Sequence, residues 1–276
     1  MDEELTLEEL LQEIAEANML DWLTDKNLGS ILKSLEDQRS MQETLNTPQL
    51  SKAELAAHIN WAPTTLTTTP RQTLGMIRQA GQKEVRSLTV PSYMSDARTE
   101  MYPSLKLCAT VGHPWGNANS SSKVAEACRA SQGGVDELDV AINIGLLLDK
   151  MYLDLFNELR EIRMSATKCS MLKVSLQTYL LDDKQKLAAC ILAYMAGFHC
   201  LKTSAGALIN HQGERVYTSE LDVSLLSQVA GFTNQKVEAV GNMADRIVAL
   251  YLIAAGADFI GTSDLDQLTK KPANCI

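Results

Sequence analysis

Long apolar runs are missing from this 276-residue chain. None approaches the roughly 18 residues needed to cross a bilayer, so the sequence offers no membrane span. Paired cysteines are missing too. Cys108, Cys128, Cys169, Cys190, Cys200 and Cys275 form no CxxC motif, and none has a histidine at zinc-ligand spacing. Most sit among apolar residues and read as buried free thiols in a reducing compartment. Basic charge is scarce, with 25 Lys and Arg against 34 Asp and Glu, a net charge of −9. Such a surface repels phosphate backbones and argues against nucleic acid as a partner, and an anionic substrate would need a local patch of donors. The opening MDEELTLEELL is acidic and lacks the basic start and apolar core of a signal peptide, so a cytoplasmic location is expected. The glycine-rich strand-to-helix fingerprint of a dinucleotide site is also absent.

What is present fits a large globular core: 45% hydrophobic and 21% charged residues. Residues 2 to about 44 read as helix, with Leu5, Leu7, Leu10, Leu11, Ile14 and Ala17 on one face and Thr6 and Glu9 as a capping box. The expected organisation is a helical extension over residues 1–50 packed on a single domain over 51–276. Short β-rich runs then alternate with helical patterns. Strands are predicted near 57–60, 86–91, 105–111, 136–143, 169–177, 199–204, 235–240 and 258–262, with helices over 122–132, 149–164, 182–197, 218–229 and 243–256. AYMAGFHCLKTS and YLIAAGADFIGTS each place a glycine between a helix end and a strand, as such loops prefer. Eight strands separated by helices favour one (β/α)₈ TIM barrel, with a doubly wound open sheet as the alternative.

In such a barrel, reacting side chains project from the C-terminal ends of strands. Charged residues interrupt apolar strands at Asp139 (ELDVAIN), Lys173 (MLKVSLQ), Lys202 (HCLKTSAG) and Glu238 (KVEAVG). Four charges in one cavity are expensive unless they pair, so they read as a present or former active site before a purely structural ion network.

Taken in order, these motifs resemble those of the deoxyribose-phosphate aldolase family. DELDVAINIG is similar to its strand-4 signature and LKTSAG to its Lys-Thr-Ser-Thr-Gly motif. TVGHPWGNANSSSKVAEA resembles its Val-Ile-Gly-Phe-Pro-Leu-Gly segment, and LKVSLQ and IGTS follow in register, covering about residues 55–265. The resemblance implies that Lys202 is the nucleophile forming an imine with an aldehyde. It makes Asp139 the proton-shuttling acid and base, and Lys173 a support of that network. The family reaction joins acetaldehyde and glyceraldehyde 3-phosphate reversibly into 2-deoxyribose 5-phosphate, with no metal or organic cofactor. It further implies a homodimer, and barrel aldolases raise a cytoskeletal, actin-like protein as a partner, although no residue identifies one.

The pattern breaks at several places. The family keeps a second lysine on strand 7, where this chain has Glu238. Neighbouring strands lie about 4.8 Å apart, so Lys202 and Glu238 are expected to approach closely. If the lost cation had depressed the nucleophile's pKa by about 2–3 units, its free-amine fraction at neutral pH would fall roughly 100- to 1000-fold. The phosphate turns implied by the resemblance keep Gly206, Gly241, Gly261 and Ser263, but Asn242 replaces a glycine. Asp264, if it faces the phosphate, would cost on the order of 4 kcal/mol at 4 Å. The acidic residue expected on strand 1 is Asn60, the strand-5 glutamate is Gln177, and the C-terminal tyrosine is absent. His113 replaces an apolar family residue and reads as a loop residue at the barrel mouth. Two expectations follow: a very weak or inactive aldolase homologue kept for a binding or regulatory role, or an active class I aldolase acting on 2-deoxyribose 5-phosphate or a related substrate.

Overall fold

The computed structural model describes residues 47–63, 65–97, 101–206, 218–241 and 246–269. The predicted helical extension over residues 2–44, with its capping box, lies outside the described residues, as do Asn242 and the chain's last residues.

Eight strands close into one parallel barrel in sequence order, each hydrogen-bonded to the next and β8 back to β1. They are β1 (Ile59–Trp61), β2 (Ser87–Val90), β3 (Lys106–Val111), β4 (Glu137–Ala141), β5 (Met171–Ser175), β6 (Cys200–Lys202), β7 (Lys236–Val240) and β8 (Phe259–Thr262). All eight predicted strands are found, each within a few residues of its expected limits. Closure rules out the open doubly wound sheet.

The helices are α1 (Lys52–Ala56), α2 (Pro70–Gln82), α3 (Ser120–Gly133), α4 (Ile144–Leu148), α5 (Tyr152–Ser165), α6 (Asp183–Met195), α7 (Glu220–Thr233), α8 (Arg246–Ala254) and α9 (Leu265–Thr269). Local chemistry starts several of them. Ser51 with Glu54, Thr69 with Gln72 and Asp182 with Gln185 form reciprocal capping boxes, and Pro70 presets the first turn of α2. The helix expected over 149–164 is α5, which begins at Tyr152; the short α4 before it, capped by Asp149 and followed by Lys150 at φ 55°, is an addition that the sequence pattern does not show.

Both anticipated helix-to-strand glycines turn the chain with positive φ, Gly197 at 83° and Gly256 at 107°. At Gly256 a Cβ would also come within 2.2 Å of the Ser227 hydroxyl, so that turn excludes side chains for two reasons.

A single apolar core lies between the strands and the helices around them. It includes Leu88, Leu107, Leu138, Leu172 and Leu201 from the strands and Leu155, Leu159, Leu187, Leu192 and Leu226 from the helices, all at most 3% exposed. Truncating one such leucine to alanine costs about 2–5 kcal/mol, so this layer fixes the barrel's shape around its polar interior. Among the described residues, no helix is long and apolar enough to cross a membrane.

Candidate active site inside the barrel

Strand side chains alternate between faces, so residues two apart point the same way. On β4 that pairs Glu137 with Asp139, on β5 Lys173 with Ser175, and on β6 Cys200 with Lys202, and all six are buried. Several of their contacts join strands that are not neighbours. Arg86 just before β2 reaches Glu137 on β4 at 2.5 Å, Asp139 on β4 contacts Lys202 on β6, and Lys173 on β5 reaches Glu238 on β7 at 2.9 Å. Asn60 on β1 donates to Glu238 Oε2 at 2.6 Å. Side chains from strands two or more places apart meet only inside the barrel, where alternate strands supply each layer.

Lys202 is 4% exposed, with Nζ in contact with Asp139 Oδ2 and 3.7 Å from Glu238 Oε1. Asp139 Oδ1 accepts a hydrogen bond from Ser175 Oγ at 2.7 Å, so both its oxygens are engaged. The expected approach of Glu238 to Lys202 is observed, but Asp139 is the closer anion. Glu238 is bound chiefly elsewhere: its Oε2 takes both Asn60 and Lys173, and only Oε1 faces Lys202. Lys173 also pairs with Glu137 at 2.9 Å. It shares Glu238 with Lys202 and does not touch the Lys202–Asp139 pair.

Burial works against every charge here, and the partners decide the outcome. For Lys202 burial is the largest single influence and pulls its pKa down. Asp139 and Glu238 together outweigh it, so the ammonium persists to higher pH than in an ordinary lysine. Lys173 opposes them, but more weakly. Burial pushes Asp139 up, while Lys202 and Ser175 pull it further down, leaving a carboxylate below its usual range. Lys173 is raised well above the usual lysine range, with burial overcome by Glu238 and Glu137. Cys108, fully buried, has its thiol pushed far up by that burial and is inert as a nucleophile.

Three participants were not singled out among the interior charges by sequence reasoning. Arg86 binds Glu137 and Asn60 Oδ1 and stacks 4.0 Å above the Phe259 ring. Glu137 and Ser175 are the others. The signal for the last two was available: each sits two residues from a residue already chosen, on the same strand face.

The mouth is roofed from β3 and β5. His113, exposed, sets Nε2 2.6 Å from the Ala205 carbonyl, in the turn just after Lys202. Gln177, held at φ 57°, donates to the Pro114 carbonyl at 3.1 Å and accepts from Ser204 Oγ and Ala205 N–H.

The expected phosphate residues lie at or just beyond the C-terminal ends of the neighbouring strands β6, β7 and β8. Gly206 follows β6 in an exposed turn with φ 99°, and Gly241 follows β7. Gly261 instead lies within β8, paired to Asn60 and Val240. A Cβ there would come 2.9 Å from Glu238 Oε1 and 2.4 Å from Val240 Cγ2, so this glycine leaves room for the carboxylate facing Lys202. Ser263 is exposed, and its carbonyl accepts from the Trp61 indole. The Asp264 carboxylate accepts from the Asp266 and Gln267 amides and caps α9.

No protein-family model matches the chain. Individual relatives do. Deoxyribose-phosphate aldolase of Clostridioides difficile is 32% identical over 193 residues, covering 70% of this chain and 84% of that protein. This chain belongs to the deoxyribose-phosphate aldolase family. The Clostridium kluyveri aldolase is 35% identical over 182 residues, 66% of this chain and 80% of that one. The barrel also superposes on a solved structure described as a candidate deoxyribose-phosphate aldolase from Coccidioides immitis, with TM-score 0.74 and 25% identity over 90% of this chain and 97% of that one. The tetrameric aldolase of Aeropyrum pernix shares the fold, with TM-score 0.71 and 24% identity over 87% and 95% of the two chains.

Proposed function

We propose that this deoxyribose-phosphate aldolase-like protein retains Lys202 as a nucleophile but turns over 2-deoxyribose 5-phosphate very slowly or not at all, and is kept for a binding or regulatory role. The observation that carries this is Glu238 Oε1, a carboxylate oxygen 3.7 Å from Lys202 Nζ, at the strand-7 position of the family's second lysine. A neighbouring ammonium would release the proton from Lys202; a carboxylate holds it on. Because the attacking species is the free amine, imine formation at neutral pH slows about tenfold for each unit by which the pKa rises.

The competing reading is an active class I aldolase or lyase. It is favoured by the direct Lys202–Asp139 contact, which sets a proton acceptor beside the nucleophile. In that reading Gly206, Gly241, Asn242, Gly261 and Ser263 would serve the phosphate of the substrate. In the first, the ligand is a small aldehyde or sugar phosphate held without turnover, or a protein such as a cytoskeletal one.

The test is to measure cleavage of 2-deoxyribose 5-phosphate with the natural protein and Lys202→Leu. Activity indistinguishable between the two supports slow turnover. Efficient cleavage that disappears in Lys202→Leu establishes the active enzyme instead.

A further inference from the structure

Helix α8 is apolar along nearly its whole length. Its nine residues, RIVALYLIA, carry one charge, at the first position, and only Ala249 and Leu252 are buried. Ile247 and Tyr251, one turn apart on the same face, are 53% and 44% exposed, and Val248, Leu250, Ile253 and Ala254 are half-buried. Helix α6 shows the usual outcome for an apolar helix: it buries eight of its thirteen residues, without a break from Lys186 to Ala193. A helix that is apolar all round is normally covered on every side.

Helix α7 continues the patch. Leu221 and Phe232 are exposed and stand about three turns apart, which puts them on one face. The two helices are neighbours, because Gly256, just beyond α8, comes so close to Ser227 of α7 that a side chain there would collide. Single exposed apolar side chains are ordinary, but Leu221, Phe232, Ile247 and Tyr251 on two adjacent helices mark a contact surface.

The path of the chain points to what covers it. Arg246, the first residue of α8, donates to the Leu50 carbonyl, and Leu50 packs against the core. Residues 1–46 therefore join the barrel beside the first turn of α8. Leu28, Ile31, Leu32 and Leu35 repeat at i, i+3, i+4 and i+7, the spacing of one apolar helix face, and Lys33, Glu36 and Asp37 accompany them. Of the apolar stripes before residue 47, this one lies nearer in sequence to Leu50 than Leu7, Leu10, Leu11 and Ile14. Residues 36–49 tether it to α8, so bringing stripe and surface together costs little. The lengths also match, since a helix over 28–35 spans about 12 Å and α8 about 14 Å.

We propose that residues 28–35 of this chain dock on the outer face of α7 and α8, with their apolar stripe against Ile247, Tyr251 and the adjoining face of α7. The mode is an amphipathic helix laid on an apolar surface, its charged residues turned to solvent. The docking leaves the barrel interior untouched, so it stands whether or not Lys202 turns over a substrate.

The experiment places the photoreactive residue p-benzoylphenylalanine at position 251 of the full-length protein. An equal mixture of unlabelled and ¹⁵N-labelled protein is irradiated before and after dilution of about tenfold, and cross-linked peptides are identified by mass spectrometry. The expected result is a cross-link from position 251 to residues 28–35, between peptides of the same isotope, with a yield that dilution does not change. Leu32→Glu together with Leu35→Glu should lower that yield at least about tenfold, the factor for losing one buried leucine contact. The same probe at position 247 repeats the test should the first variant fold poorly. Cross-links between unlabelled and labelled peptides overturn the proposal and make a second copy the occupant. Cross-links to other parts of the same chain, or none at all, overturn it as well.

Discussion

Two buried lysines outside and inside the barrel wall answer burial differently. Lys123 on α3, fully buried, donates to Glu158 Oε1 at 2.6 Å and to the Gly116 carbonyl at 2.9 Å. Burial is the largest influence on it, and its pKa is lowered despite Glu158 and the more weakly acting Glu126. Lys202 on β6 is equally enclosed but faces Asp139 and Glu238, and its pKa is raised. Lys173 faces Glu137 and Glu238 and is raised further. Glu158, with Glu126 acting more weakly, does not offset the loss of water at Lys123, whereas the carboxylates facing Lys202 and Lys173 do. For Lys202, Asp139 is the larger of the two upward influences and Glu238 adds to it.

This contrast can be broken from either side. The largest effect is expected for Lys123→Met, which strands the Glu158 carboxylate and its Ser120 hydrogen bond between α3 and α5. Leaving a buried charge unpaired costs about 3–5 kcal/mol, measured by denaturant unfolding, with borohydride trapping of Lys202 unchanged. Glu238→Lys should cost about as much, because it puts four cations against the two remaining carboxylates, Glu137 and Asp139. Asn60→Asp supplies a carboxylate 2.6 Å from that position, so the double change should recover about 1–3 kcal/mol relative to the sum of the singles.

Glu137 and Asp139 are both held below the usual carboxylate range, Glu137 against burial by Lys173 and Arg86, and Asp139 against burial by Lys202 and Ser175. A group with a depressed folded pKa stabilises above its unfolded pKa and loses that contribution as pH falls through the folded value. Unfolding free energy should therefore hold above about pH 4–5 and decline progressively below it. A decline starting near pH 6 would contradict this assignment. A smaller effect is expected at the roof. Gln177→Ala removes hydrogen bonds to Pro114, Ser204 and Ala205 and should cost about 1–3 kcal/mol, with faster borohydride access to Lys202.

Much of this was legible beforehand, for identifiable reasons. The strands were visible because short β-rich runs such as LKLCATV alternate with helical periods, and turn glycines such as Gly197 and Gly256 mark where helices end. The site charges were visible because Asp139, Lys173, Lys202 and Glu238 interrupt buried strands. What sequence spacing does not specify is who pairs with whom. The contacts run from β2 to β4, β4 to β6 and β7 to β1, and they depend on strand stagger inside the closed barrel. Position after β8 does not reveal how Asp264 is oriented, and its carboxylate is used by the α9 amides. The short α4 was not legible, and the turn at Lys150 that separates it from α5 carries no glycine or proline to announce it.

The contribution of Glu238 to keeping Lys202 charged adds to that of Asp139. Its most direct test is an NMR titration of Lys202, labelled with ¹³C at Cε, in the natural protein and in Glu238→Gln. Lys202 should titrate above the ordinary lysine range in the natural protein. In Glu238→Gln, where Asp139 remains, it should titrate lower by at least about one unit. An unchanged pKa would contradict the account and leave Asp139 alone responsible for the state of the nucleophile.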